Sequence, residues 1–121
     1  MRPTVLIIVA LAGTPAFADP ATVEAVELRE RGGAWTVSVT IRHGDTGWDD
    51  YADGWRVEAP DGTILGTRVL HHPHVEEQPF TRSLSGVEIP AGLANVAVRT
   101  RTSVTGWAET VHAPVPVPPS E

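Results

Sequence analysis

Residues 35–42 read Trp-Thr-Val-Ser-Val-Thr-Ile-Arg, a strict alternation of apolar side chains with hydroxyl or charged ones. In an extended strand successive side chains point to opposite faces, so Trp35, Val37, Val39 and Ile41 share a dry face while Thr36, Ser38, Thr40 and Arg42 share a wet one. A helix would scatter both sets around its circumference. The segment is therefore a strand with one buried face, and such a face needs a second layer to cover it.

The same period of two runs through the rest of the chain. Residues 23–28 alternate until Gly32-Gly33 ends the pattern. Trp55 and Val57 form a short strand that stops at Pro60-Asp61-Gly62-Thr63, a strong turn signal. Residues 64–70 return from that turn, and Phe80, Arg82 and Leu84 follow Pro79, with Val87 and Ile89 carrying on past a kink at Gly86. Pro90-Ala91-Gly92 turns the chain into Val96 and Val98, and residues 107–111 make a last strand. Strands this short, with turns every 8–12 residues, predict an all-β fold: one antiparallel β-sandwich of about seven strands. The proline-rich stretch 113–119 reads as extended chain without ladder hydrogen bonds.

The N-terminus follows a different rule. Met1-Arg2 is a short positive start, residues 5–11 are apolar, and Ala16-Phe17-Ala18 has the small-x-small form of a cleavage site. These parts in this order predict a secretory signal peptide over residues 1–18. The apolar run is well short of the roughly 20 residues a membrane-spanning helix requires. The expected division is a signal peptide at 1–18, a sandwich at 19–113 and a proline-rich tail at 114–121, with the protein in the periplasm or secreted.

Composition narrows the function. The 121-residue chain has a formal charge of -6 and no cysteine. An acidic protein whose only cationic side chains besides histidine are arginines lacks the clustered positive charge that nucleic-acid binding uses. Without cysteine it forms no disulfide, thiolate nucleophile or zinc ribbon.

The stretch 96–101 followed by Gly106-Trp107 resembles the last hairpin of fibronectin type III and immunoglobulin-like domains. That resemblance implies the sandwich architecture and carries no activity with it. Three further segments, residues 43–48, residues 51–55 and His72-Pro73-His74 with residues 77–83, resemble small exported bacterial proteins of unassigned function.

Chain direction locates the polar residues. If the strand through Trp35 runs upward, its upper end delivers His43, the strand after residue 64 delivers His71, His72 and His74, and the one after residue 96 delivers Ser103. Loops 43–53, 71–78 and 103–107 then share one end of the sandwich, the usual place for binding on such a scaffold.

Three readings follow for this end. In the first, His72 and His74 lie on one side of an extended segment, with Cα atoms roughly 6.5–7 Å apart. They join His43, with His71 and a carboxylate as secondary candidates, around copper(II) or zinc, or nickel. The competing view has His74 donating to Glu76 or Glu77. In the second, a protein or glycan docks on Trp48, Tyr51 and the acidic residues Asp45, Asp49, Asp50, Asp53 and Glu77. The competing view has Asp45 and Asp49 satisfying backbone amides in turns, with Trp48 and Tyr51 packed inward. Calcium on the same aspartates is a lesser variant, because their spacing departs from the EF-hand loop. The third reading is an accessory structural domain without a small ligand.

Catalysis is not expected. No serine occupies a nucleophile elbow, Ser83 and Ser85 have no histidine near them in sequence, and a domain of this size leaves little room for a deep cleft. Arg82 is expected to pair with a loop carboxylate and steady the upper end.

Overall fold

The computed structural model describes residues 19–119. The signal peptide expected over residues 1–18 lies outside the described residues. Among the described residues the chain forms eight strands and no helix: β1 (Thr22–Arg31), β2 (Ala34–Arg42), β3 (Ala52–Glu58), β4 (Ile64–Val69), β5 (Phe80–Val87), β6 (Asn95–Thr102), β7 (Gly106–Trp107) and β8 (His112–Pro116). One sheet has the order β1-β2-β5; the other has the order β4-β3-β6-β7, with β8 also paired to β6. All pairings are antiparallel, and the two sheets face one another as a β-sandwich.

The alternation read from β2 decides what lies between the sheets. Trp35, Val37, Val39 and Ile41 are buried and oppose Val87, Leu84, Arg82 and Phe80 of β5 in register. Trp55 and Val57 of β3 and Val96 and Val98 of β6 close the core from the other sheet. Removing side chains of this size from water is worth roughly 1.5–3 kcal/mol each, which lets a domain without disulfides hold together. The outer face of the first sheet carries paired hydroxyls instead: Ser38 to Ser83 and Thr40 to Thr81, each at 2.7 Å.

The C-terminal stretch departs from expectation. The final strand predicted over 107–111 is only two residues long as β7. The segment expected to be a ladderless tail forms β8, pairing Val96 with Val115 and Asn95 with Pro116. Val115 is buried, and the Val117 N–H donates to the Ala94 carbonyl at 2.9 Å. Proline tolerates this position because it needs no donor where only alternate residues bond the ladder. The sandwich therefore extends past residue 113, through Val117.

The strand directions place loops 43–51, 70–79 and 103–105 at one end, as chain polarity predicts. The start of β1 joins them, since Thr22 pairs with Arg42 at the upper end of β2. The opposite end holds the tight turn around Gly62, where the Gly62 N–H donates to the Ala59 carbonyl at 2.8 Å.

Candidate functional site

The three-loop end is organised around a buried carboxylate. The side chain of Asp45 is fully buried, and its two oxygens accept from three donors. Oδ1 takes the Ala52 N–H at 3.0 Å and lies 2.6 Å from His43 Nδ1; Oδ2 takes the His74 N–H at 2.8 Å. A buried carboxylate persists only when its lone pairs are satisfied in this way. One side chain thus fastens the first loop, the entry to β3 and the second loop.

Gln78 makes a second connection between the same loops. Its Oε1 accepts from the His43 N–H at 3.0 Å, and its Nε2 donates to the His74 carbonyl at 2.9 Å. The third loop is joined through Ser103, whose N–H donates to the Tyr51 carbonyl at 2.9 Å and whose hydroxyl accepts from the Tyr51 N–H at 3.1 Å. The N-terminal segment is tied down as well: the Thr100 hydroxyl donates to the Ala21 carbonyl at 2.8 Å.

This arrangement decides the roles of the four histidines. His43 is buried with its Nε2 2.9 Å from the Asp19 carbonyl and its Nδ1 2.6 Å from Asp45, so both ring nitrogens already face oxygens of the protein. His74 is buried and stacked on Phe80, with ring centroids 4.0 Å apart. Arg82 donates to its Nε2 at 2.9 Å, which puts the ring proton on Nδ1, a buried atom with no hydrogen-bond partner. Burial, the Arg82 guanidinium and His72 hold the His74 ring below the usual histidine range, in that order of weight. His72 is exposed with its ring 4.8 Å from that of His74, and His71 is exposed on the flank of the second sheet.

The topology therefore brings His43, His72 and His74 to one end without converging them on a shared point. Among the described residues no group of three or more histidine, cysteine, aspartate or glutamate side chains is arranged to hold a metal ion. The expected metal set of His43, His72, His74 and His71 is corrected accordingly. Two of its members serve as internal supports for the loops.

The acidic loop divides similarly. Asp45 is interior rather than a surface ligand, so it does not belong to a docking patch. Asp53 pairs with Arg101. Asp50 is half-buried, its Oδ1 lying 3.7 Å from His43 Nε2. Asp49 and Glu77 remain exposed, and Glu77 accepts from Arg82 at 3.3 Å, the loop pairing expected of that arginine. His74 bonds to Arg82 and Asp45 rather than donating to Glu76 or Glu77.

Trp48 is 67% exposed and meets Tyr51 edge-on at 5.6 Å between ring centroids. It does not pack inward. Each loop in fact exposes one large apolar side chain: Trp48 in the first, Val75 in the second and Val104 in the third.

Sequence reasoning missed three parts of this end. The bridging role of Gln78 carries no pattern that distinguishes it from any loop glutamine. Asp45 does satisfy backbone amides, as one reading of the loop had it, but its reach to the His74 N–H of the second loop was not foreseen. Gly54 sits inside β3, where an isolated glycine marks a bulge or a close approach. It floors an open cleft of about 370 Å³ beside the loop end, which the small size of the domain did not lead us to expect.

An 88-residue stretch of the chain is 44% identical to a protein of Halomicrobium mukohataei named "Putative lipoprotein", covering 72% of this chain and 43% of that protein. The chain thus spans less than half the length of this relative. No family model matches the chain, and no solved structure does. No helix among the described residues is long and apolar enough to cross a membrane.

Proposed function

We propose that the chain is an exported, non-catalytic binding domain that docks a protein partner through its three-loop end. The observation that carries this reading is the exposure of Trp48 on a loop held by the buried Asp45. A large aromatic exposed on a fixed support contributes contact area at low entropic cost, which is why such residues act as anchors in interfaces. Val75 and Val104 extend the apolar contact, and Asp49, Glu76 and Glu77 make an acidic surround that suits a basic partner.

Export is supported by the leader-like segment at residues 1–18 and by the name of the relative. The non-catalytic reading is supported by the commitment of both buried imidazoles to carbonyl, carboxylate and guanidinium partners. The strand order β1-β2-β5 against β4-β3-β6-β7 supports a fibronectin-III-like reading of the sandwich, a scaffold that commonly carries binding loops at one end.

A photoreactive side chain at position 48 tests the proposal in the protein's own host. A discrete cross-linked partner at position 48, absent when the probe stands at position 61 on the opposite end, is the expected result. Equal cross-linking from both positions, or none from position 48, overturns it. With the probe moved to the neighbouring exposed position 49, Trp48→Ala is expected to remove the adduct while changing stability by less than about 0.5 kcal/mol, as for other exposed substitutions.

A further inference from the structure

Four residues stand directly opposite one another across the second sheet. Val69 of β4 pairs with Gly54 of β3, Gly54 with Arg101 of β6, and Arg101 with Trp107 of β7. Paired residues share a face, so the row reads Val69, Gly54, Arg101, Trp107 on the outer surface. Gly54 is the one position in that row without a side chain. The result is a notch, and it forms the floor of the cleft of about 370 Å³.

The backbone does not explain the glycine. Gly54 is not among the glycines with positive φ, so other residues can adopt its conformation. Glycine inside a strand costs roughly 0.5–1 kcal/mol relative to alanine. A Cβ here would approach the Arg68 carbonyl oxygen to 3.2 Å, closer than an ordinary contact, and the Arg101 Cβ to 4.0 Å. What any side chain would remove is the space.

The walls of the notch have a particular chemistry. Tyr51 and Trp107 supply aromatic surface. Arg56 lies 4.2 Å from the centroid of Trp107 and fixes the orientation of that ring. Asp53 bonds Arg101, cancelling its charge at the base of the cleft. Two lining residues carry a buried polar atom without a partner: Asp53 Oδ1, an acceptor, and Arg68 Nε, a donor. Both atoms are closed to solvent, so the groups open to a ligand are the other polar side chains of the lining.

We infer that this notch binds a pyranose ring of a polysaccharide or oligosaccharide. A sugar offers an apolar C–H face to Tyr51 and Trp107. Its rim of hydroxyls can bond the polar groups of Thr67, His71 and Arg101 that line the same cleft, since each hydroxyl both donates and accepts. The volume is at the lower end of ligand clefts, about 300–1,000 Å³, and suits one or two rings lying across the sheet. A metal ion is not matched, because Asp53 is the only carboxylate lining the cleft. The inference stands apart from docking at the loop tips, since it involves neither Trp48, Val75 nor Val104.

Amide and indole NMR spectra of the full chain, titrated with cello-, xylo-, chito- and galacturonate oligosaccharides, test it. At least one probe is expected to saturate in the millimolar range or tighter, moving the amides of Gly54 and Arg101 and the Trp107 indole N–H. Gly54→Val, which fills the notch, and Trp107→Ala are each expected to weaken that binding at least about tenfold while keeping the wild-type amide pattern away from the cleft. Trp107→Phe, which keeps a ring, is expected to retain most of it and guards against a folding defect. No saturable shift with any of the four probes overturns the inference. So does binding that survives Gly54→Val, or that moves only residues 48, 75 and 104; the last result leaves docking at the loop tips standing.

Discussion

Asp45 and His74 lie 29 residues apart in sequence, and the backbone N–H of the histidine donates to the carboxylate of the aspartate at 2.8 Å. That bond joins two loops leaving different strands of the same end. With the contacts of Oδ1 to Ala52 and His43, it makes Asp45 the one side chain of this end that fastens three segments, beside the Gln78 bridge between two of them.

Asp45→Ala is therefore expected to be the most damaging loop substitution. It leaves the Ala52 and His74 N–H groups and the His43 ring without their acceptor in a buried site. Removing one partner of a buried charged network costs about 3–5 kcal/mol, and a loss of that order is expected in urea unfolding. A change below about 1 kcal/mol would mean the loops are held by something else.

His74 predicts a pH dependence near neutrality. Its folded-state pKa is lowered from 6.5, chiefly by burial, so the unfolded chain takes up a proton at a pH where the folded chain does not. The contribution is fully present above 6.5 and is lost as pH falls from there toward the lowered folded value. Stability measured between pH 8 and pH 5 should decline through this window, and His74→Gln should flatten that decline. An unchanged slope in the variant would assign the effect to another group.

Glu58 acts in a lower window. It accepts from Arg99 at 2.7 and 3.2 Å and from Arg56 at 2.7 Å, and these bonds hold its carboxyl below 4.5 against the opposing effect of burial. Its stabilising contribution is present above 4.5 and disappears as pH falls through the lowered folded value. Glu58→Gln should reduce stability at pH 7 and make acid unfolding below pH 4.5 less steep. Circular dichroism across an acid titration reads both.

The C-terminal strand supplies a fourth expectation. Val115 is buried against β6, and Val115→Ala should cost about 2 kcal/mol from lost burial and the cavity left behind. Truncation after Ala113 should destabilise the sandwich far more, because it strips β8 from a central strand. A truncated chain with an unchanged thermal midpoint would restore the view of this segment as a dispensable tail.

Much of the architecture was legible because it rests on local periodicity. Trp35, Val37, Val39 and Ile41 announce a half-buried strand by themselves, and up-down chain direction then carries His43 and His74 to one end without any knowledge of contacts. Side-chain roles at that end were not legible in the same way. Whether His43 faces a metal or a carbonyl depends on Asp19, 24 residues earlier, and whether Asp45 is exposed depends on the backbone of the second loop. These are long-range pairings with no spacing rule. The fate of β8 was hidden for another reason: prolines at 114 and 116 argue against a ladder, but Val115 and Val117 carry the packing and hydrogen bonding that keep the segment in place.

The described chain begins beside the loops and finishes at the far pole, where Val117 meets Ala94. The described sandwich thus has residue 19 at one pole and residue 119 at the other. Anything fused or anchored after residue 119 lifts the aromatic tip of Trp48 away from the support, whereas an attachment ahead of residue 19 presses that same tip toward it. For immobilisation, display or pull-down, the C-terminal side is the one that leaves the loops free.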